Sequence, residues 1–234
     1  MPNDELPDYP LADIEYADDV ALLGSDPSEM QAVLNKLNNS AALFGMRFTP
    51  PKCKVLLQDW VGSNPNLILA GEPISVVDHF NYLGSLISPG GLAKEEVTQR
   101  IAKASAAFAN LRHLWRRRDI SLSIKGRVYN AAVRSILLYG SETWPLRAED
   151  SRKISVFDHR CLRSIARVWW EHRISNADVR RMVFGRRNAH SIDELMTLHR
   201  LRWLGHVLRM PPSRLPRRAL FAQPQIGWER SHGD

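Results

Sequence analysis

The chain has 234 residues, 44% hydrophobic and 24% charged, a length and balance that fit one large globular domain or two small ones. No apolar run is long enough to span a bilayer, the acidic Met1–Glu15 stretch is no signal or transit peptide, and two distant cysteines, Cys53 and Cys161, build neither a disulfide scaffold nor a Cys-rich zinc site. The net charge of +7 is unevenly spread: no Lys or Arg precedes Lys36, while nine acids do, so an acidic element is followed by a surface suited to polyanions. A chain with these features is expected to be neither secreted nor embedded in a membrane.

In chain order, Leu11 to Leu23 reads as a hairpin. Ala12, Ile14 and Tyr16 alternate with polar residues, Ala17-Asp18-Asp19 interrupts, and an apolar run follows. Asp26-Pro27-Ser28-Glu29 is a helix start, with Asp26 as cap, Pro27 at the first position and Glu29 at the capping-box position. Met30, Val33, Leu34, Leu37, Ala41 and Phe44 give that helix one apolar stripe, and Gly45 stops it. Arg47 to Leu57 reads as extended but broken by Pro50-Pro51. Leu67–Leu69 and Ile74–Val77 are expected to pair around Ala70–Pro73. Phe80 to Ile87 reads as a further extended segment, and Ser88-Pro89-Gly90-Gly91 as a domain boundary.

The rest reads as helices. Val97, Ile101, Ala104, Phe108, Leu111 and Trp115 form one stripe, and Val128, Ala132, Val133, Ile136 and Leu137 a second. Ile154, Phe157, Cys161, Ile165 and Val168 form a third, opposite Arg152, Lys153, Arg160, Arg163 and Arg167. A fourth helix opens on the capping box Ser191–Glu194 and runs through Leu195, Leu198, Leu201 and Val207. The tail after Pro211, rich in Pro, Arg and Gly, reads as loosely ordered. The fold class expected is α+β: strands mixed with one helix, then helices alone.

Tyr16-Ala17-Asp18-Asp19 is the sharpest chemical feature. Two adjacent acids at a hairpin tip repel each other, and the arrangement makes sense if a divalent cation neutralises them. Carboxylate oxygens are the preferred ligands of magnesium, which takes one or two of them plus substrate phosphates. An exposed acidic turn is the plain structural alternative.

Ile14-Glu15-Tyr16-Ala17-Asp18-Asp19-Val20-Ala21-Leu22-Leu23 resembles the catalytic hairpin of reverse transcriptases, in particular those of non-LTR, LINE-like retrotransposons. Gly45-Met46-Arg47-Phe48-Thr49-Pro50-Pro51-Lys52-Cys53-Lys54 resembles the next palm motif, and Lys52 matches the lysine near the incoming triphosphate. It departs at Thr49-Pro50, where the family usually has Asn and no proline. Phe80-Asn81-Tyr82-Leu83-Gly84 resembles the primer-grip hairpin, which makes Phe80, Tyr82 and Gly84 candidate primer contacts. Tyr139–Trp144 and Arg202–Val207 resemble segments downstream of the polymerase in such elements.

The resemblance spans about Leu11 to Leu220. It implies the end of a polymerase palm over residues 1–90, a basic thumb-like helical domain over 91–210, and a tail over 211–234. It implies Mg2+ on Asp18 and Asp19, with RNA template, DNA primer and dNTP as partners of the intact enzyme, inside the cell in nucleus or cytoplasm. A two-metal polymerase also needs a further carboxylate from an earlier strand, for which the residues before Tyr16 leave no room. The isolated chain is therefore expected not to polymerise. The competing expectation is a non-enzymatic basic helical nucleic-acid-binding module, or the relic of a decayed element.

From Arg112 to Arg218 there are 24 basic residues against 9 acids. Arg112, Arg116, Arg117, Arg118, Arg160, Arg163 and Arg167 are the candidate phosphate contacts. Trp115, Trp169, Trp170 and Trp203 lie among them, and cations beside aromatics suit phosphate contact with base stacking. Core packing is expected for Trp115 and Trp203, which lie near apolar stripes. His190, His199 and His206 lack a Cys pair at zinc spacing, so no zinc site is expected with Cys161.

Overall fold

The structure is a computed structural model that describes residues 13–89 and 93–222. Leu11 and Ala12 of the expected hairpin, Gly90 and Gly91 of the expected boundary, and the tail beyond residue 222 lie outside the described residues. The fold is mixed α+β, with strands and one long helix first and helices alone after. It forms two compact units that part between Glu96 and Val97, a few residues inside a helix.

In the first unit, β1 (Asp13–Tyr16) and β2 (Asp19–Leu22) form an antiparallel hairpin in which Asp13 faces Leu22 and Tyr16 faces Asp19. The loop is only Ala17 and Asp18, and Ala17 takes a φ of 55°. Glycine is the usual occupant of such a turn position, because a Cβ there crowds the backbone. Helix α1 (Pro27–Leu43) starts as its residues dictate: Asp26 Oδ1 accepts from the Ser28 N–H at 2.7 Å, and Pro27 opens the first turn. Gly45, at φ 71°, follows its end.

Met30 and Leu34 of the α1 stripe pack with Phe48, Cys53 and Val55 on a small core of Leu67, Leu69 and Ile74. Gln31 fastens the helix to β4 (Ile68–Leu69). Its Nε2 donates to the Ile68 carbonyl and its Oε1 accepts from the Ile68 N–H, both at 2.8 Å. The side-chain amide thus does for β4 what a neighbouring strand would do.

β4 pairs with β5 (Glu72–Pro73) across Ala70 and Gly71, whose φ values of 52° and 85° suit a tight hairpin turn. The expected partnership of Leu67–Leu69 with Ile74–Val77 holds only at Ile74, whose N–H donates to the Leu67 carbonyl at 2.8 Å. Beyond it, β6 (Ser75–Val77) runs parallel to β3 (Lys54–Leu56) instead. A third hairpin joins β7 (Phe80–Tyr82) and β8 (Ser85–Ile87) through Leu83 and Gly84, again with both φ values positive.

The second unit is helical. It contains most of α2 (Ala93–Asn110), then α3 (Arg112–Arg116), α4 (Leu122–Tyr129), a π-helical turn over Asn130–Arg134, and α5 (Ser135–Leu137). Next come α6 (Ala148–Ala166), α7 (Asn176–Phe184), α8 (Ile192–Leu208) and α9 (Leu215–Phe221). Its core follows the first three expected stripes: Val97, Ala104, Trp115, Val133, Leu137, Ile154, Cys161, Ile165 and Val168 are buried. In the fourth, Val207 is buried, Leu195 and Leu198 are half-buried and Leu201 is exposed, with Ile192 and Met196 buried instead. The Ser191–Glu194 capping box forms in both directions, at 3.2 and 2.8 Å. Helix α9 lies in the stretch that composition marks as loosely ordered. Among the described residues no helix is long and apolar enough to cross a membrane.

Candidate functional site

Asp18 and Asp19 sit at the tip of the β1–β2 hairpin, both exposed. Alternation puts Asp19 and Tyr16 on one face with Ile14 and Ala21. The other face, with Asp13, Glu15, Val20 and Leu22, lines a cleft of about 270 Å³ closed on its far side by Met30, Val33 and Leu37 of α1. Tyr16 remains 64% exposed, so the face bearing Asp19 is open.

The Phe80–Tyr82 strand lies beside this hairpin. The Tyr82 hydroxyl donates to the Ile14 carbonyl at 3.3 Å, across 68 residues of sequence. Phe80 and Tyr82 meet edge to face with ring centroids 6.4 Å apart. From the start of α2, Glu96 accepts the Leu86 N–H at 2.6 Å and braces the second strand of that hairpin. Lys52 closes a 3-10 turn, Pro50–Lys52, with its N–H donating to the Thr49 carbonyl at 2.9 Å and its side chain exposed. Pro50 fits here because the first residue of such a turn needs no N–H. Burial raises the Cys53 thiol pKa, against the opposing charge of Lys54.

Magnesium suits the donor set of Asp18 and Asp19, two hard carboxylates open to solvent and to a phosphate. Among the described residues, no group of three or more His, Cys, Asp and Glu side chains is arranged to hold a metal ion. The remaining ligands of such an ion would come from substrate, water or a further carboxylate.

In the helical unit, the candidate arginines divide by what their guanidiniums touch. Arg112, Arg116, Arg117, Arg118, Arg160 and Arg167 are exposed. Arg117 forms an ion pair with Asp119 that raises its own pKa and lowers that of Asp119, chiefly through the hydrogen bond. Arg167 donates to the Arg116 carbonyl at 2.5 Å and so ties the end of α6 to α3. Arg163 is engaged internally: Nη1 donates to the Ile174 carbonyl at 3.0 Å and to Asn176 Oδ1 at 3.1 Å, and Nη2 to the Trp169 carbonyl at 3.3 Å. Its place is under the loop rather than at its surface. The tryptophans separate in the same way. Trp115 is 5% exposed and Trp203 is half-buried, while Trp169 and Trp170 stand in solvent.

Several charged groups that periodicity does not reveal are buried here. Arg134 grips Asp158 through Nε at 2.7 Å and Nη2 at 2.8 Å, and the Tyr129 hydroxyl donates to the same carboxylate at 3.0 Å. The guanidinium also lies over the Tyr129 and Phe184 rings. Burial, with the Asp158 charge, holds the Tyr129 hydroxyl well above the usual tyrosine range, and burial pushes the Cys161 thiol up to about 12. Lys125 is buried with its ammonium donating to the carbonyls of Trp115 and Arg117, where it caps the end of α3. Burial, and then the Arg167 charge, lowers its pKa. Among the described residues every buried side-chain nitrogen and oxygen has a partner.

Comparison with known families matches part of the chain. The family described as a domain of unknown function (DUF6451) matches residues 107–139. That stretch runs from the end of α2 through α5 and carries the stacked pair Phe108–Trp115, Tyr129, Lys125 and Arg134. No curated protein and no solved structure matches the chain.

Proposed function

We propose that this chain is part of an RNA-directed DNA polymerase of the kind that non-LTR retrotransposons encode, comprising the end of the palm and a basic thumb. The observation that carries the reading is the bond from the Tyr82 hydroxyl to the Ile14 carbonyl, which joins the Phe80–Gly84 hairpin to the strand leading to Asp18 and Asp19. Order in sequence alone would not require the two hairpins to touch.

In this reading Asp18 and Asp19 would hold Mg2+, whose charge would offset that of a bound phosphate. The short turn presents both carboxylates outward. Lys52 adds a point charge for a triphosphate. The hairpin with Phe80, Tyr82 and Gly84 offers a ring edge and a close backbone approach to the end of a primer. The exposed arginines of the helical unit hold the template–primer duplex by its phosphates, without reading sequence.

Thermal unfolding with magnesium against EDTA tests the metal assignment. Magnesium at about ten times its dissociation constant is expected to stabilise the wild type by about 1 kcal/mol, a rise of a few degrees. Asp18→Asn/Asp19→Asn should abolish that rise, and should itself stabilise the metal-free hairpin by removing like-charge repulsion. Equal responses in the two proteins would remove the metal assignment.

The second reading is a basic helical nucleic-acid-binding module with the acidic turn uninvolved in chemistry. The exposed arginines of the helical unit, which need no acidic turn to meet a polyanion, favour it. It predicts RNA affinity that falls steeply with salt and is indifferent to Asp18 and Asp19.

A further inference from the structure

Trp169 and Trp170 are 62% and 82% exposed, yet the loop that carries them is tightly held. Arg167 leaves α6 with a left-handed φ of 56°, and Arg173 leaves the following 3-10 turn at 48°. Val168 between them is buried, the Trp169 N–H donates to His172 Nδ1 at 2.9 Å, and Arg163 ties the Trp169 and Ile174 carbonyls from below. Two indoles carried in water on a braced loop are apolar surface that folding leaves unburied and that a ligand can cover without reordering the backbone.

The surroundings identify what would cover them. Arg167 bonds to the Arg116 carbonyl, which brings the Arg116–Arg118 run to the end of α6, and the buried Lys125 ammonium lies against the same carbonyl end of α3. Of the nearby acids, Asp119 is engaged by Arg117, and Glu171 lies in the loop itself. The aliphatic residues flanking the indoles, Val168 and Ile174, are buried and half-buried. The apolar surface on offer is therefore two flat rings in a loop bounded by Arg167 and Arg173, both exposed. That is narrow for insertion into lipid, which recruits a wide apolar face, and for the apolar centre of a protein interface. It matches the chemistry of unpaired bases, whose faces stack on indoles while their phosphates meet arginines.

We propose that Trp169 and Trp170, with the exposed Arg173 of their own turn and the exposed Arg116 and Arg118 of the segment that Arg167 ties to this loop, form a stacking platform for an unpaired stretch of nucleic acid. The inference rests on the polyanion-binding part of the reading above and adds the ligand class: single-stranded, since paired bases hide their faces. The test is fluorescence anisotropy of the full chain with labelled oligouridylate and with an RNA duplex of equal length. Trp169→Ala/Trp170→Ala is expected to weaken oligouridylate binding by at least about tenfold. Duplex binding should change by less than about twofold, because backbone contacts remain. Trp169→Phe/Trp170→Phe, which keeps flat rings, should restore most of the loss.

If the alanine variant binds both ligands as the wild type does, or weakens both alike, the platform is overturned while polyanion binding stands. If the wild type binds neither RNA at low salt, the platform and the nucleic-acid reading fall together. If instead the wild type binds anionic phospholipid vesicles and the alanine variant loses only that binding, a lipid surface is the occupant and the inference is overturned.

Discussion

The buried pair of Arg134 and Asp158 shows what one side chain can decide in this molecule. Both groups are almost wholly withdrawn from water, the guanidinium is bidentate on the carboxylate, and Tyr129 satisfies a further lone pair. Such a pair adds little beyond what well-packed apolar residues would give, but half of it is expensive. Asp158→Asn leaves a buried guanidinium without its counter-charge and is expected to cost about 3–5 kcal/mol. Tyr129→Phe removes one neutral donor and is expected to cost about 1 kcal/mol. Urea unfolding followed by far-UV circular dichroism checks both values. A loss for Asp158→Asn no larger than for Tyr129→Phe would mean the interior is wetter than the structure has it. Neither member of the pair stands out in the sequence, because Arg134 follows an apolar stripe as any surface arginine could.

Helices α4 and α7 pack against each other, and the contact runs through Gly126. A Cβ added there would lie 2.6 Å from the Val183 carbonyl oxygen and 2.9 Å from Val183 Cγ1. In an exposed helix, Gly→Ala stabilises by up to about 1 kcal/mol. Here the sign is expected to reverse, with Gly126→Ala costing about 1–3 kcal/mol as the helices are forced apart. A melting temperature that rises in this variant would show that the α4–α7 contact is loose. The element boundaries themselves were largely legible. Asp26-Pro27, Ser191–Glu194 and the Ala70-Gly71 turn act within a few residues of themselves, so local composition suffices to locate them. Helix α7 was not legible in the same way: it buries only Val179 and Val183, too short a stripe to register as a period.

At the scale of the whole molecule, the two units differ in how much interior they own. The first rests on Leu67, Leu69 and Ile74, and its α1 contributes no fully buried residue. Tyr16, Leu43, Phe44, Met46 and Val61 are exposed within it. The second buries many more apolar side chains, and its buried charges are partnered. Local stability follows buried apolar contact, so the first unit is expected to open more often. Brief proteolysis of the full chain should cut first among residues 13–89 and leave a resistant helical fragment. Early cleavage within α6 or α8 would contradict this. The charge divides the same way, with acids gathered at the front of the chain and arginines spread through the helices.

The sequence by itself determined the order of strands and helices, the caps and turns that bound them, the acidic pair at a hairpin tip and the basic character of the helical half. Each of these is written within a few neighbouring residues or in composition. Only the tertiary structure decided which members of a residue type do what. Trp115 is packed against Phe108 while Trp169 and Trp170 stand in solvent, and Arg163 is bound beneath a loop while Arg116 and Arg118 are open. It also decided the partners that meet across 24, 37 and 68 residues: Arg134 with Asp158, Gln31 with Ile68, and Tyr82 with Ile14. The physical reason is common to them all. Propensity and capping act over a turn or two of chain, whereas burial and hydrogen-bond pairing depend on which surfaces the folded chain brings together.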